Sequence, residues 1–184
     1  MDRKKDKIKN HYTKCLEQMI TDLDFKRYFS EDVKILKYSE LSGYSNIYEL
    51  LPSKKDFCII LTEEEKNTGH WCCLVRNGDL ITWFDSYGIK PDGELKFIPY
   101  TVRKMLGEDK HHLSRLLETA KKYIWNKKKF QKLRDGVNTC GRWVIAFILM
   151  SQLGYSLNDF IKKVEEKTEE TEKPNDILIC DWIK

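Results

Sequence analysis

No stretch of this sequence approaches the roughly 20 consecutive apolar residues that a membrane span requires. The opening "MDRKKDKIKN" is polar and lacks the apolar core of a secretory signal. Neither a membrane anchor nor secretion by the usual route is therefore expected. No CxxC pair occurs anywhere, and the six cysteines (Cys15, Cys58, Cys72, Cys73, Cys140 and Cys180) fit no small disulfide framework. A chain of 184 residues does not need one, so free thiols in a reducing compartment are expected. Zinc is a competing idea, because His70, Cys72 and Cys73 lie close together. But neighbours on a strand point to opposite faces, which makes Cys72 and Cys73 poor co-ligands. The expectation is no metal and no cofactor. Internal repeats are absent too, and no boundary divides the chain, which reads as a single domain over 1–184.

What is present is a chain able to bury a core, 41% hydrophobic and 34% charged, with a formal net charge of +4. The basic excess is concentrated. Lys121 to Arg134 carries seven basic residues and no acidic one. A solvated helix face and loop would account for it. A groove for an acidic partner, weakly touching nucleic acid, is the functional alternative.

Ile8, Tyr12, Cys15, Leu16, Met19, Ile20 and Leu23 recur at helical spacing and predict an amphipathic first helix. "YSELSGYSNIYELL" reads as a turn and short helix before Pro52. "DFCIILT" (56–62) reads as a buried strand, followed by a polar loop, "EEEKNTG". Two strands follow at about 70–76 and 80–85, split by Asn77-Gly78. "KPDG" is a turn. Leu113, Leu116, Leu117, Ala120, Tyr123 and Ile124 predict a second helix, and "KKKFQKL" a short strand. From Trp143 to Met150 every residue is apolar, which predicts a helix buried on most sides and ending near Gly154. Ser156 and Asp159 resemble a capping box for another helix. Residues 165–184 read as a charged linker and a last strand or docked tail. The class is α+β, with a short antiparallel core packed on the buried helix.

The stretch "GHWCCLVRNGDLITWFDSYG" (69–88) holds the first chemical signal. A tight turn brings the outer ends of its two strands together. His70 and Asp85 then become neighbours, a base beside an orienting acid. Cys140 supplies the third group. It falls where the buried helix begins, and there the positive end of the helix dipole and free N–H groups favour a thiolate, the nucleophilic form. Gly141 beside it would let a substrate backbone approach closely. His70 as base, Asp85 as its orienting acid and Cys140 as nucleophile make up an activated-thiol arrangement.

"GHW", "WFDSYG" and "QKLRDGVNTCGRW" together resemble the adenovirus-protease and SUMO-protease superfamily of cysteine proteases, across about residues 38–153. The look is closest to the maturation proteases of virophages, polinton-like elements and related large DNA viruses. The resemblance implies a papain-like, adenain-like domain with Cys140 as nucleophile, His70 as base, Asp85 as acid and Gln131 as oxyanion donor. It places Trp71 along the cleft. The nine-residue step from Gln131 to Cys140 is longer than these families usually show, and Asn138 is the alternative donor. Asn138, with Thr139, also sits where a helix N-cap belongs.

The implied activity is that of a viral thiol endopeptidase cutting capsid-protein precursors during virion maturation. It would work as a monomer, in the host cytoplasm, viral factory or virion. Relatives often favour glycine or another small residue at the cut, so a narrow cleft is expected. Two alternatives are an isopeptidase that removes ubiquitin-like modifiers and a non-catalytic, basic nucleic-acid-binding scaffold.

Overall fold

A computed structural model describes the backbone of residues 2–184 and the side chains of residues 10–184. Five strands form one mixed sheet in chain order: β1 (Ile35–Lys37), β2 (Lys55–Glu65), β3 (Thr68–Asn77), β4 (Leu80–Phe84) and β5 (Lys122–Trp125). The three central strands are antiparallel, and each edge strand runs parallel to its neighbour. Among the described residues eight α-helices accompany the sheet: α1 (Asp2–Glu17), α2 (Asp22–Tyr28), α3 (Ile47–Leu50), α4 (Tyr100–Leu106), α5 (His112–Leu117), α6 (Cys140–Gln152), α7 (Leu157–Thr171) and α8 (Asn175–Trp182). The class is α+β, as expected.

Alternation along β3 divides the core. Trp71, Cys73 and Val75 face one way, onto α6 and the buried residues of α2, α7 and α8. Cys72 and Leu74 face the other way, onto α3, α5 and the 3-10 turn Tyr38–Gly43. Cys72 and Cys73 thus lie on opposite sides of the sheet. The α6 sequence is apolar almost all round because it is covered almost all round; Trp143, Val144, Ile145 and Ile148 are fully buried. Phe84 of β4 stacks on Phe147 of α6 at 4.4 Å, and Phe130 packs on Trp143 at 5.0 Å. Phe130 thereby pins the loop before α6 to the helix.

Several predicted elements change. The first helix stops at Glu17 and restarts at Asp22; Ile8 lies outside the described side chains. The predicted loop "EEEKNTG" is mostly strand, with a tight turn in which Asn67 takes φ 61°. The second predicted helix ends at Leu117, and Tyr123 and Ile124 belong to β5, whereas "KKKFQKL" is irregular. Most of the charged linker is the second half of α7, whose capping box at Ser156 and Asp159 is formed as expected. The last predicted strand is α8, a docked helix.

The largest departure joins the two ends of the chain. Cys15 and Cys180 form a disulfide across a separation of 165 residues, so the expectation of six free thiols fails. Cys58, Cys72, Cys73 and Cys140 remain free and buried. Among the described residues, no single helix is long and apolar enough to cross a membrane; α6 and α7 pass that test only as a pair bent by 120°.

Candidate active site

The hairpin β3–β4 builds the first part of the site. Cys73 pairs with Phe84, so the next pair outward sets Cys72 opposite Asp85, with His70 one step further along the same face. His70 Nε2 lies 2.9 Å from Asp85 Oδ1, and both residues are buried. The turn after β4 fixes the carboxylate. Asp85 Oδ1 accepts from Tyr87 N–H at 2.7 Å and Oδ2 from Ile89 N–H at 3.1 Å. Gly88 closes that turn at φ 72°, where a side chain would also press on the Lys128 carbonyl at 2.9 Å. The Tyr87 ring stacks on the imidazole with centroids 4.4 Å apart.

Cys140 opens α6, as predicted, and lies close enough to His70 for its thiol to help raise the imidazole's proton affinity. The structure therefore brings His70, Asp85 and Cys140 together from three separate segments. It also adds a residue that no local pattern revealed. Glu94, from the 3-10 turn Gly93–Phe97, puts Oε1 3.1 Å from His70 Nε2. Burial opposes a charge on His70, but Glu94, Cys72 and Asp85 outweigh it and hold the imidazole's proton affinity well above its ordinary value. Burial and the nearby Asp85 carboxylate push Glu94 up to about 8, against the opposing pull of His70. Nε2 can donate only one proton, so two carboxylates compete for it.

Gln131 is buried and held at both ends. Its Oε1 accepts from Ser86 Oγ at 2.8 Å and its Nε2 donates to the Val137 carbonyl at 2.8 Å. Backbone N–H groups of Phe130 and Gln131 both reach the Ser86 carbonyl, which locks this loop onto the turn carrying Asp85. One amide hydrogen of Gln131 is left over. Asn138 does not cap α6. Its side-chain nitrogen donates to the Glu17 carbonyl at 2.8 Å, and the cap position of α6 is held by Thr139. The Thr139 hydroxyl is spent on Asp176 at 2.7 Å, so it makes no cap bond.

Two expected cleft residues are covered. A Cβ on Gly141 would meet Ile20 Cβ at 2.5 Å, so Gly141 admits the chain's own Ile20 rather than an incoming backbone. Trp71 donates its indole N–H to the Ile20 carbonyl at 3.0 Å and packs edge-on against Phe25 at 4.9 Å. Open space lies instead on the other side of His70, where a cavity of about 140 Å³ is lined by Thr62, Tyr87, Ile89, Phe97, Ile98 and Leu133. The basic segment is partly neutralised from outside itself. Lys121 pairs with Asp79 at 2.9 Å, and Lys128 pairs with Glu165.

Comparison with known proteins adds one relationship. The chain is 34% identical over 149 residues to "Uncharacterized protein V9" of Sputnik virophage, which covers 80% of this chain and 83% of that protein. No family model matches the chain, and no solved structure matches it.

Proposed function

On the premise that this chain belongs to the family of the virophage protein V9, we propose that it is a cysteine endopeptidase that trims capsid-protein precursors during virion maturation. The observation that carries the reading is the buried His70–Asp85 contact of 2.9 Å, with Cys140 beside the same imidazole at the start of α6. In this mechanism Cys140 transfers its proton to His70, and the sulfur attacks the scissile carbonyl. A proton affinity raised by surrounding carboxylates suits His70 to holding that proton. The tetrahedral oxyanion is met by the N–H of Cys140 and the spare amide hydrogen of Gln131. His70 then gives its proton to the leaving amine. Water, deprotonated by His70, hydrolyses the thioester and returns the thiol.

The apolar cavity beside His70 takes a side chain of the substrate. Capsid precursors are the favoured substrate because the relative comes from a virophage, which like any virus must assemble a coat, in a factory or virion within the host cell. The test is to incubate the same virus's capsid protein with wild type and with Cys140→Ala, and to map the products by mass spectrometry. Defined cleavage by wild type alone is expected. Equal cleavage by folded Cys140→Ala would overturn the reading. Release of a ubiquitin-like fusion, with the capsid protein left intact, would redirect it to an isopeptidase.

A further inference from the structure

The proposed reaction uses His70 and Asp85 but leaves two groups beside them out of its bond-making steps, the buried Cys72 and the half-buried Glu94. The four residues converge on one point. His70 and Cys72 share a face of β3, Asp85 follows β4 opposite Cys72, and Glu94 reaches in from the turn Gly93–Phe97. Their ligand atoms all lie within 4.8 Å of one another. We propose that His70, Cys72, Asp85 and Glu94 form a binding site for a divalent transition-metal ion, zinc foremost, and that the bound ion switches the enzyme off.

The donor set is one imidazole nitrogen, one sulfur and two carboxylate oxygens, a combination suited to zinc. Bonds of about 2.0–2.3 Å in a tetrahedron separate the ligand atoms by roughly 3.3–3.8 Å. The observed separations bracket that edge: 2.9 Å from His70 to Asp85, 3.1 Å from His70 to Glu94, and 3.9 Å from Cys72 Sγ to Glu94 Oε1. With every separation within 4.8 Å, side-chain shifts of about 1 Å or less would form the site. The electrostatics point the same way. Two carboxylates and a thiol crowd one ring nitrogen, four donor groups turned to one point. A doubly charged cation satisfies all four donors together. Cys73, excluded by the strand's alternation, has no part in it.

Inhibition follows from which nitrogen is taken, and this half rests on the protease reading. The ion would occupy Nε2 and draw Asp85 away from it. The remaining ring nitrogen must then keep its own proton, so the imidazole could not accept one from Cys140.

The binding test uses Co²⁺ as a coloured probe and Zn²⁺ as its competitor, with intact disulfide-bonded protein. Wild type and Cys140→Ala should each bind one equivalent of Co²⁺ with a thiolate-to-cobalt charge-transfer band. Zn²⁺ should abolish that band. Cys72→Ala should lose the band and bind Zn²⁺ weaker by at least the roughly 10–100-fold that loss of even an outer partner costs. Glu94→Gln should weaken binding comparably, and Cys73→Ala should bind as wild type does. Absence of stoichiometric binding in wild type overturns the site. So does an undiminished band in Cys72→Ala, or its loss in Cys140→Ala. For inhibition, Zn²⁺ should stop capsid cleavage by wild type, chelator should restore it, and Cys72→Ala should be inhibited far less than wild type when each is measured against its own metal-free rate. Metal binding through Cys72 in a protein that cleaves nothing would refute the protease reading and leave the site standing. Cleavage without metal binding would do the reverse.

Discussion

The Cys15–Cys180 disulfide sets a stability scale that can be measured. It closes a loop of 165 residues, nearly the whole chain. For a loop of that length, the chain-entropy relation assigns the cross-link about 5 kcal/mol at 25 °C, and native disulfides commonly deliver about 2–5 kcal/mol. The contacts beside it would survive its removal. Tyr12 Oη donates to Asp181 at 3.0 Å, Lys173 pairs with the same carboxylate at 2.6 Å, and Tyr28 Oη donates to the Lys184 carbonyl at 2.6 Å. With those ties in place α1 and α8 should stay docked, so the effect falls mainly on the unfolded chain. Replacing both cysteines by serine should lower the unfolding free energy by about 2–5 kcal/mol. It should also steepen the urea dependence, because the unfolded chain exposes more surface. The assay is urea unfolding of wild type with and without reductant, beside the double variant. A loss below about 1 kcal/mol, or a wild type indifferent to reductant, would refute the reasoning.

Gln131→Ala should lower both turnover and stability. Turnover falls by roughly 10²–10³ with the oxyanion donor, and stability by about 1–3 kcal/mol as the Val137 carbonyl and Ser86 hydroxyl lose their partner. Paired kcat and urea midpoints check this, and a stable variant with wild-type turnover would remove Gln131 from the site. Asn138→Ala should leave kcat nearly unchanged, because the reading gives the oxyanion to Gln131 and the Asn138 amide tethers the Glu17 carbonyl. Glu108 is fully buried, accepts from Glu63 N–H, and has an Oε2 without a partner, so burial and the Glu63 charge push it up to about 7. A carboxyl raised in the folded state gives stability that is fully present below its unfolded value and is lost as pH rises through the folded one. Wild type should therefore lose on the order of 1–3 kcal/mol relative to Glu108→Gln between about pH 4.5 and 7. Urea midpoints across that range test it, and a pH-independent difference would contradict it.

The catalytic candidates were legible because each depends on local sequence. A tight turn at Gly78-Asp79, one residue beyond the Asn77-Gly78 pair that signalled it, fixes the β3–β4 register, which sets His70 near Asp85. An apolar run longer than most strands marks α6 and so the start at Cys140. What was missed depends on distant contacts. Glu94 reaches His70 from a separate turn, and nothing in "DGELKF" distinguishes it from a surface carboxylate. Cys15 and Cys180 are paired by the docking of α1 on α8, which no spacing records. Gly141 looked open because its neighbour in space, Ile20, is far away in sequence. Tyr123 and Ile124 fell by chance on helical spacing, although α5 had already ended. "ILICDW" carries β-branched residues that suggest a strand, yet it belongs to a helix that starts at Asn175, directly after Pro174, and packs against α6. The charge in "EEKTEET" reads as linker, but ion pairs such as Lys167–Glu170 run along a helix face.

The central claim is that Cys140 is a thiol activated by His70. It is tested most directly by the rate of alkylation at each free cysteine at mildly acidic pH, followed by peptide mapping. The account predicts that Cys140 reacts first, while Cys58, Cys72 and Cys73 stay protected inside the sheet. It also predicts that the Cys140 rate falls by at least about tenfold in folded His70→Ala, as the thiolate loses its partner. Labelling spread over several cysteines without Cys140 in the lead, or a Cys140 rate indifferent to His70, would contradict it.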